Sequence, residues 1–105
     1  MLPVVYINLD RDAQRRQAME AMLRRHGLPF ERLPAVAWAV LDEASRTRLY
    51  DPALNQRQFD RPLVDGEKGC YASHLKACEH LLASTAPALI VLEDYVELSD
   101  AVADV

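Results

Sequence analysis

Apolar residues form two continuous runs, one near each end of the chain. Val4 to Leu9 is mainly β-branched and apolar around Tyr6, and Ala88 to Leu92 is apolar throughout. Short continuous apolar runs are typical of strands that are buried on both faces of a parallel sheet. We therefore predict a buried strand at each run. A third possible strand, Phe30 to Val36, is interrupted by Pro34, which cannot donate a ladder hydrogen bond.

Between these strands, apolar residues recur at helical spacing. The segment from Ala13 to His26 carries such a stripe, and Gly27 follows at the position where helices commonly end with a glycine. Either Asp10 or Asp12 could cap the start of this helix. A shorter helix is predicted over Asp42 to Tyr50.

A second long helix is predicted from Gly66 onwards, with Asp65 as its N-cap and Pro87 just beyond its end. Asp51 to Asp65 shows no clean period and is predicted as a loop. Ser99-Asp100 resembles the start of a further helix. The long helix has one apolar stripe that we expect to pack in the core, and it consists of Cys70, Tyr71, His74, Leu75, Cys78, Leu81 and Leu82.

The alternation of strands and helices predicts an α/β fold, with a parallel sheet and flanking helices in a single domain over residues 1–105. Ligands of such sheets bind beyond the carboxyl ends of the strands. Two polar segments fall at those ends, Asn8 to Arg11 after the first strand and Glu93-Asp94 after the last. We expect the functional site there.

Charge and composition narrow the class of protein. The net charge is −4, from 12 basic and 16 acidic residues, which argues against nucleic-acid binding as the main function. No apolar run reaches the ~18 residues of a membrane span. Cys70 and Cys78 would lie about 12 Å apart on one helix, too far for a disulfide. Free thiols are expected in a reducing compartment, and we predict a cytoplasmic location.

Glu93 and Asp94 are the first candidate site. Two adjacent carboxylates at a strand end can hold a hard cation such as Mg²⁺ or Mn²⁺ through oxygen ligands. They can equally mark a solvated strand exit. Spacing alone leaves both interpretations open.

Cys70, His74 and Cys78 suggest a zinc site. Neighbouring members are four residues apart and could share a metal, but all three cannot, because the outer two are about 12 Å apart and Zn–S bonds are about 2.3 Å. We therefore expect the cysteines in the core. His74 is either a hydrogen-bond donor to a ligand or a satisfied, half-buried histidine.

Basic residues open the first long helix, at Arg11, Arg15 and Arg16. Positive charge opposes the helix dipole there, so helix stability does not explain it. An anion such as a diphosphate suits this arginine cluster, and a solvated helix face is the alternative. The turn from Gly66 to Gly69 offers free backbone N–H groups to an anion or to simple capping.

Four blocks appear in order over most of the chain. They are Val5 to Arg11 followed by Arg15-Arg16, Gly27 to Glu31 followed by Ala35-Val36, Gly66 to Leu75, and Leu92 to Ser99. The third block, with the pattern G-E-x-G-C-x-x-S-H-L, is the most specific. Taken together, the blocks resemble the family 25 glycosyltransferases of lipopolysaccharide and lipooligosaccharide biosynthesis, a group that also includes relatives of collagen galactosyltransferase.

The resemblance implies a Rossmann-like, GT-A-type fold and transfer of a sugar, often galactose from UDP-galactose, to a saccharide acceptor. It places a divalent metal, Mn²⁺ or Mg²⁺, at Asp94 and Glu93. A metal ion would neutralise the diphosphate leaving group. The residues that it places around the nucleotide and the donor sugar are Asn8, Leu9, Asp10, Arg11, Arg16, Ser73 and His74.

The sequence departs from the family pattern at three places. Tyr95 replaces a second aspartate and weakens the expected metal site, because a phenol binds hard cations poorly. Ala37-Trp38 replaces an Asp-Gly pair. The chain also corresponds to the donor-binding half of a member, so self-association or a companion chain is expected. A non-catalytic binding module is the alternative function. A receiver-type signalling domain fits less well, since its acidic pair would follow the first strand.

Overall fold

The computed structural model describes residues 2–49, 64–99 and 101. In chain order the elements are strand β1 (Val4–Asn8), helix α1 (Ala13–Arg25), strand β2 (Glu31–Pro34), a 3-10 turn (Trp38–Val40), helix α2 (Glu43–Leu49), helix α3 (Asp65–Ala83) and strand β3 (Ile90–Glu93). The three predicted strands and the three helices predicted between them are present within these residues, whereas the further helix predicted from Ser99-Asp100 falls mostly outside them. The predicted loop over 51–65 lies outside them except for its last two residues, of which 64 is the N-cap of α3 and 65 already belongs to that helix.

The three strands form one parallel sheet in the order β2-β1-β3. The fold is therefore the predicted Rossmann-like α/β arrangement, in which β1 is central. Every residue of β1 is buried, as predicted, and Tyr6 is completely inaccessible. The core on one side of the sheet consists of Val4, Tyr6, Met19, Met22, Leu23 and Leu28.

The last strand is less buried than its apolar sequence suggests. We expected β3 to be buried on both faces, but each of its residues is only half-buried. The reason is its position at one edge of the three-stranded sheet, where it pairs with β1. The described residues thus leave one side of β3 open.

Helix α3 also turns a different face inwards from the one that was predicted. Its buried residues are Gly69, Ala72, Ser73 and Ala77, whereas Cys70 and Cys78 are both exposed. The predicted core position of the two cysteines was therefore wrong. Small residues occupy the buried face because α3 packs closely against the backbone at Val36. A Cβ on Gly69 would lie 2.7 Å from the carbonyl oxygen of Val36.

Helix ends match the predictions in part. Gly27 follows α1 with a φ of 68°, a left-handed conformation that glycine adopts without strain. Asp12 occupies the N-cap of α1 but makes no capping side-chain hydrogen bond. The prediction that Asp65 caps α3 was wrong by one residue, because Val64 is the N-cap and its N–H donates to the Glu67 carboxylate, 3.0 Å away. Within the described helices, none combines the length and apolar character needed to cross a membrane.

Candidate functional site at the carboxyl end of the sheet

A pocket of ≈ 380 Å³ lies at the carboxyl ends of β1 and β3. Its walls come from the start of α1, the segment Ala35 to Ala39 and the first turns of α3. This is the edge at which parallel α/β sheets bind ligands. Among the residues expected at the site, those that line the pocket are Asn8, Leu9, Arg11, Ser73, His74, Glu93 and Asp94.

The structure does not bring Asp10 and Arg16 to this pocket. Asp10 is an exposed residue whose carboxylate forms an ion pair with Arg32 at 2.7 Å. Arg16 lies on α1, half-buried, one residue beyond Arg15, which does line the pocket. Because successive helix residues point about 100° apart, only one of this arginine pair can face the site.

Asn8 connects three parts of the site. It is almost fully buried, at 1% exposure. Its amide nitrogen donates to the Asp94 carboxylate at 2.8 Å and to the Asp12 carbonyl at 3.1 Å. Its amide oxygen accepts a hydrogen bond from Arg32 at 3.0 Å. Both amide protons are therefore used inside the protein, and Asn8 positions its neighbours.

Asp94 faces helix α1. One carboxylate oxygen accepts the bond from Asn8, and the other lies 3.6 Å from the Arg15 guanidinium. The Asp94 side chain is only 10% exposed, whereas that of Arg15 is 60% exposed. Arg15 is also within 4.0 Å of Asp12. Both carboxylates lie near the same guanidinium nitrogen of Arg15, and the rest of this exposed group remains accessible to a ligand.

Glu93 faces the opposite way, towards α3. Its Oε1 accepts a hydrogen bond from His74 Nε2–H at 3.2 Å and one from the Cys70 thiol at 3.6 Å, while Tyr95 donates to Oε2. The bond from Tyr95, followed by that from His74, holds the pKa of the Glu93 carboxyl below its usual range. Burial, and then the bond to Glu93, raises the pKa of the Cys70 thiol.

Ser73 fixes the floor of the pocket. Its buried hydroxyl accepts a hydrogen bond from the Val36 N–H at 2.8 Å and donates one to the Gly69 carbonyl at 2.8 Å. These bonds hold the first turns of α3 against the segment that contains Trp38, a buried residue whose ring lies 5.5 Å from the Lys68 ammonium. Ser73 therefore shapes the site through the backbone around it.

Two residues of this site have contacts that the sequence did not predict. Cys70 was assigned to the core, and Tyr95 was treated only as a lost ligand, yet both contact Glu93. The four-residue spacing of Cys70 and His74 was the available signal. Their third partner was hidden because it comes from β3, 19 residues beyond His74.

The parallel sheet and its pocket at the carboxyl edge place the chain in the Rossmann-like α/β class. Within that class, the model of glycosyltransferase family 25 (LPS biosynthesis protein) matches residues 1–105. The chain belongs to this family.

Curated relatives of the chain are all named glycosyltransferase 25 family members. The protein from Drosophila pseudoobscura pseudoobscura is 30% identical over 95 residues, and that from Anopheles gambiae is 31% identical over 97 residues. Both alignments cover 87% of the chain but only 15% and 16% of the respective relatives. The chain thus corresponds to a short part of these longer proteins.

Proposed function

We propose that this chain forms the nucleotide-sugar-binding portion of a GT-A-type glycosyltransferase. The enzyme would transfer galactose from UDP-galactose to a hydroxyl of a saccharide acceptor. One observation carries the proposal: the pocket gathers Arg15, the first turns of α3 and Asp94 at the carboxyl edge of a parallel sheet. Membership of family 25 supports a sugar donor and an acceptor as substrates. Lipopolysaccharide or a related glycan is the acceptor class that we propose.

The diphosphate of the donor would bind between α1 and α3. Arg11 lines the pocket from the loop before α1, and Arg15 lines it from α1 itself. Gly66 lines it from the N-terminal turn of α3. Guanidinium groups and free N–H groups at a helix N-terminus both favour phosphate oxygens. A volume of ≈ 380 Å³ is within the usual range for small-molecule pockets.

The expected cation, Mn²⁺ or Mg²⁺, would use Asp94 and Glu93 as oxygen ligands. These oxygen ligands suit such an ion, and both carboxylates line the pocket. Their present contacts are with opposite helices, Asp94 with Arg15 and Glu93 with His74. When bound, the cation would neutralise charge on the departing diphosphate. Without it, Arg15 remains the cation nearest to Asp94 among the ion pairs of the described residues.

A non-catalytic nucleotide-sugar-binding module is the second candidate. The contact that favours it joins Tyr95 to Glu93, because the phenol uses a carboxylate oxygen that a metal would otherwise require. The pocket would then bind nucleotide without a metal. Both candidates place the nucleotide in the same pocket, so metal dependence separates them.

Calorimetry with UDP and UDP-galactose, with and without Mn²⁺, tests the proposal. Stronger binding with Mn²⁺ supports a working donor site, and equal binding supports the metal-free module. Arg15→Gln should weaken UDP binding about tenfold or more, since a charge-assisted hydrogen bond contributes about 1.5–3 kcal/mol. Arg25→Gln, on the same helix and outside this pocket, is the matched control. Absence of UDP binding by the unmodified chain would refute the donor site.

Restoring an acid at position 95 gives a second test. Tyr95→Asp adds a carboxylate beside Glu93 and should increase the dependence of UDP binding on Mn²⁺. Tyr95→Phe removes the hydroxyl without adding an acid and is the control. An equal response of the two variants would show that position 95 is not a metal-ligand position.

Partner and compartment are also proposals. Leu82 is 83% exposed and Val40 is 80% exposed, which supports self-association or a companion chain that covers apolar surface. Sedimentation of a strictly monomeric chain would contradict self-association. The free thiols Cys70 and Cys78 support the proposal of a reducing, cytoplasmic compartment.

A further inference from the structure

Three potential metal ligands of different chemistry meet on one wall of the pocket. They are the thiol of Cys70, the imidazole of His74 and the carboxylate of Glu93, and their ligand atoms all lie within 4.8 Å of one another. Cys70 and His74 are four residues apart on α3, so they share a helix face. Glu93 reaches them from the end of β3.

The two distances measured from Glu93 are close to those between ligands of a tetrahedral ion. Zinc bonds of about 2.3 Å to sulfur and about 2.0–2.2 Å to nitrogen and oxygen place tetrahedral S and O ligands about 3.6 Å apart, and N and O ligands about 3.4 Å apart. The observed separations from Glu93 Oε1 are 3.6 Å to Cys70 Sγ and 3.2 Å to His74 Nε2. The ligand atoms of Cys70 and His74 lie within 4.8 Å of each other, against about 3.6 Å in a tetrahedral zinc site, so an ion would draw these two side chains together by up to about 1 Å.

Tyr95 orients the carboxylate for this role. Its hydroxyl donates to Glu93 Oε2, on the oxygen that does not face His74. Carboxylate ligands are commonly held by such outer hydrogen bonds, which fix their orientation and raise metal affinity. The residue that weakens a hard-cation site thus supports a site of another type.

We propose that Cys70, His74 and Glu93 bind a zinc-class divalent cation, with the fourth coordination position open to the pocket. Zinc accepts sulfur, nitrogen and oxygen together, whereas Mg²⁺ requires oxygen ligands. All three side chains line the pocket, so solvent and small ligands reach the ion. Three protein ligands and an open position are the arrangement of zinc sites that bind water or substrate.

This inference goes beyond donor binding and does not rest on it. Glu93 is common to both proposals, but the zinc site uses α3 and the diphosphate cation would use Asp94 on the α1 side. A titration without nucleotide therefore tests the zinc site alone. Its outcome is independent of whether UDP binds.

Cobalt provides the probe, because Co²⁺ occupies zinc sites and is coloured. The 105-residue chain, reduced and metal-free, is titrated with Co²⁺ while its absorption spectrum is recorded. We expect a thiolate-to-cobalt charge-transfer band, strong tetrahedral ligand-field bands, and displacement of Co²⁺ by one equivalent of Zn²⁺. Excess Mg²⁺ should not displace it.

Matched variants identify the ligands. Cys70→Ser should abolish the charge-transfer band and weaken Zn²⁺ binding at least on the order of 10- to 100-fold, the cost of losing even a partner outside the coordination sphere. Cys78→Ser, two turns further along α3, should bind like the unmodified chain. His74→Gln and His80→Gln form a second pair, since His80 contacts Glu31 instead.

Several results would overturn the site. These are the absence of a charge-transfer band in the unmodified chain, an unchanged band in Cys70→Ser, loss of the band in Cys78→Ser, or displacement of Co²⁺ by Mg²⁺. Circular dichroism of each variant identifies any loss of fold. Cys70 and His74 are exposed, so we expect all four variants to fold.

Discussion

Replacing Asn8 by alanine should destabilise the protein more than any exposed polar change. The buried side chain makes hydrogen bonds to the Asp94 carboxylate, from the Arg32 guanidinium and to the Asp12 carbonyl. Hydrogen bonds with a charged partner contribute about 1.5–3 kcal/mol and neutral ones about 1 kcal/mol. In the variant, water that enters from the pocket would replace some of the lost hydrogen bonds. We expect a loss of about 2–4 kcal/mol in the free energy of unfolding.

Urea denaturation measures this loss. With a slope of about 1–3 kcal/mol/M for a small domain, the midpoint should fall by roughly 1–2 M. Asp10→Asn is the matched control, because Asp10 also pairs with Arg32 but lies in solvent. An exposed ion pair contributes only about 0–1 kcal/mol. If both variants lose the same small amount, below about 1 kcal/mol, Asn8 does not hold the site together and the reasoning is refuted.

Further predictions concern packing and pH. Gly69→Ala should cost about 1–3 kcal/mol by overpacking, because the new Cβ would lie 2.7 Å from the Val36 carbonyl oxygen; Gly66→Ala, where nothing lies within 4 Å, should be neutral or slightly stabilising, and thermal unfolding that ranks the two equally would contradict this. Burial, and then the hydrogen bond to Glu20, raises the pKa of Tyr6 above its ordinary value. The contribution of Tyr6 to stability is therefore complete below pH about 10 and is lost as pH rises further. Tyr6→Phe should make the free energy of unfolding fall less steeply at alkaline pH. The same fall in both proteins, measured by urea denaturation at several pH values, would count against this. Hydrogen bonds from Ser45 lower the pKa of Asp42, so the stability that it gives to the start of α2 is present above its unfolded pKa and is lost as pH falls through the lower folded value. Protection of the α2 amides against hydrogen exchange should therefore fall with acid in the unmodified chain but much less in Asp42→Ala. An equal fall of protection in both proteins would exclude this role of Asp42.

Local pattern was sufficient to predict the sheet and the meeting of its polar ends. The run Val4 to Leu9 gave a central strand because continuous apolar residues suit burial on both faces. The rule that ligands bind at carboxyl ends then brought Asn8 and Asp94 together, and they are hydrogen-bonded. Both inferences depend on the chain's order and period alone.

The inner face of α3 could not be predicted in the same way. Its apolar stripe and its buried stripe both have helical spacing, and the buried one is made of small residues such as Gly69 and Ala72. Which stripe faces inwards depends on how closely the helix approaches Val36, a tertiary distance. The meeting of Cys70 with Glu93 depends on the same docking, so it too was absent from the local pattern.

Glu93 and Asp94 are consecutive residues held by different helices, and this makes the end of β3 a link between two halves of the pocket. Glu93 contacts His74 and Asp94 contacts Arg15, so a ligand that drew Glu93 towards α3 would also move the adjoining peptide of Asp94 and alter the contact with Arg15. Occupancy on one side should then alter affinity on the other, and such coupling is reciprocal by thermodynamic necessity. A cation bound at α3 would change the affinity for an anion at α1, and the anion would change the affinity for the cation by the same factor.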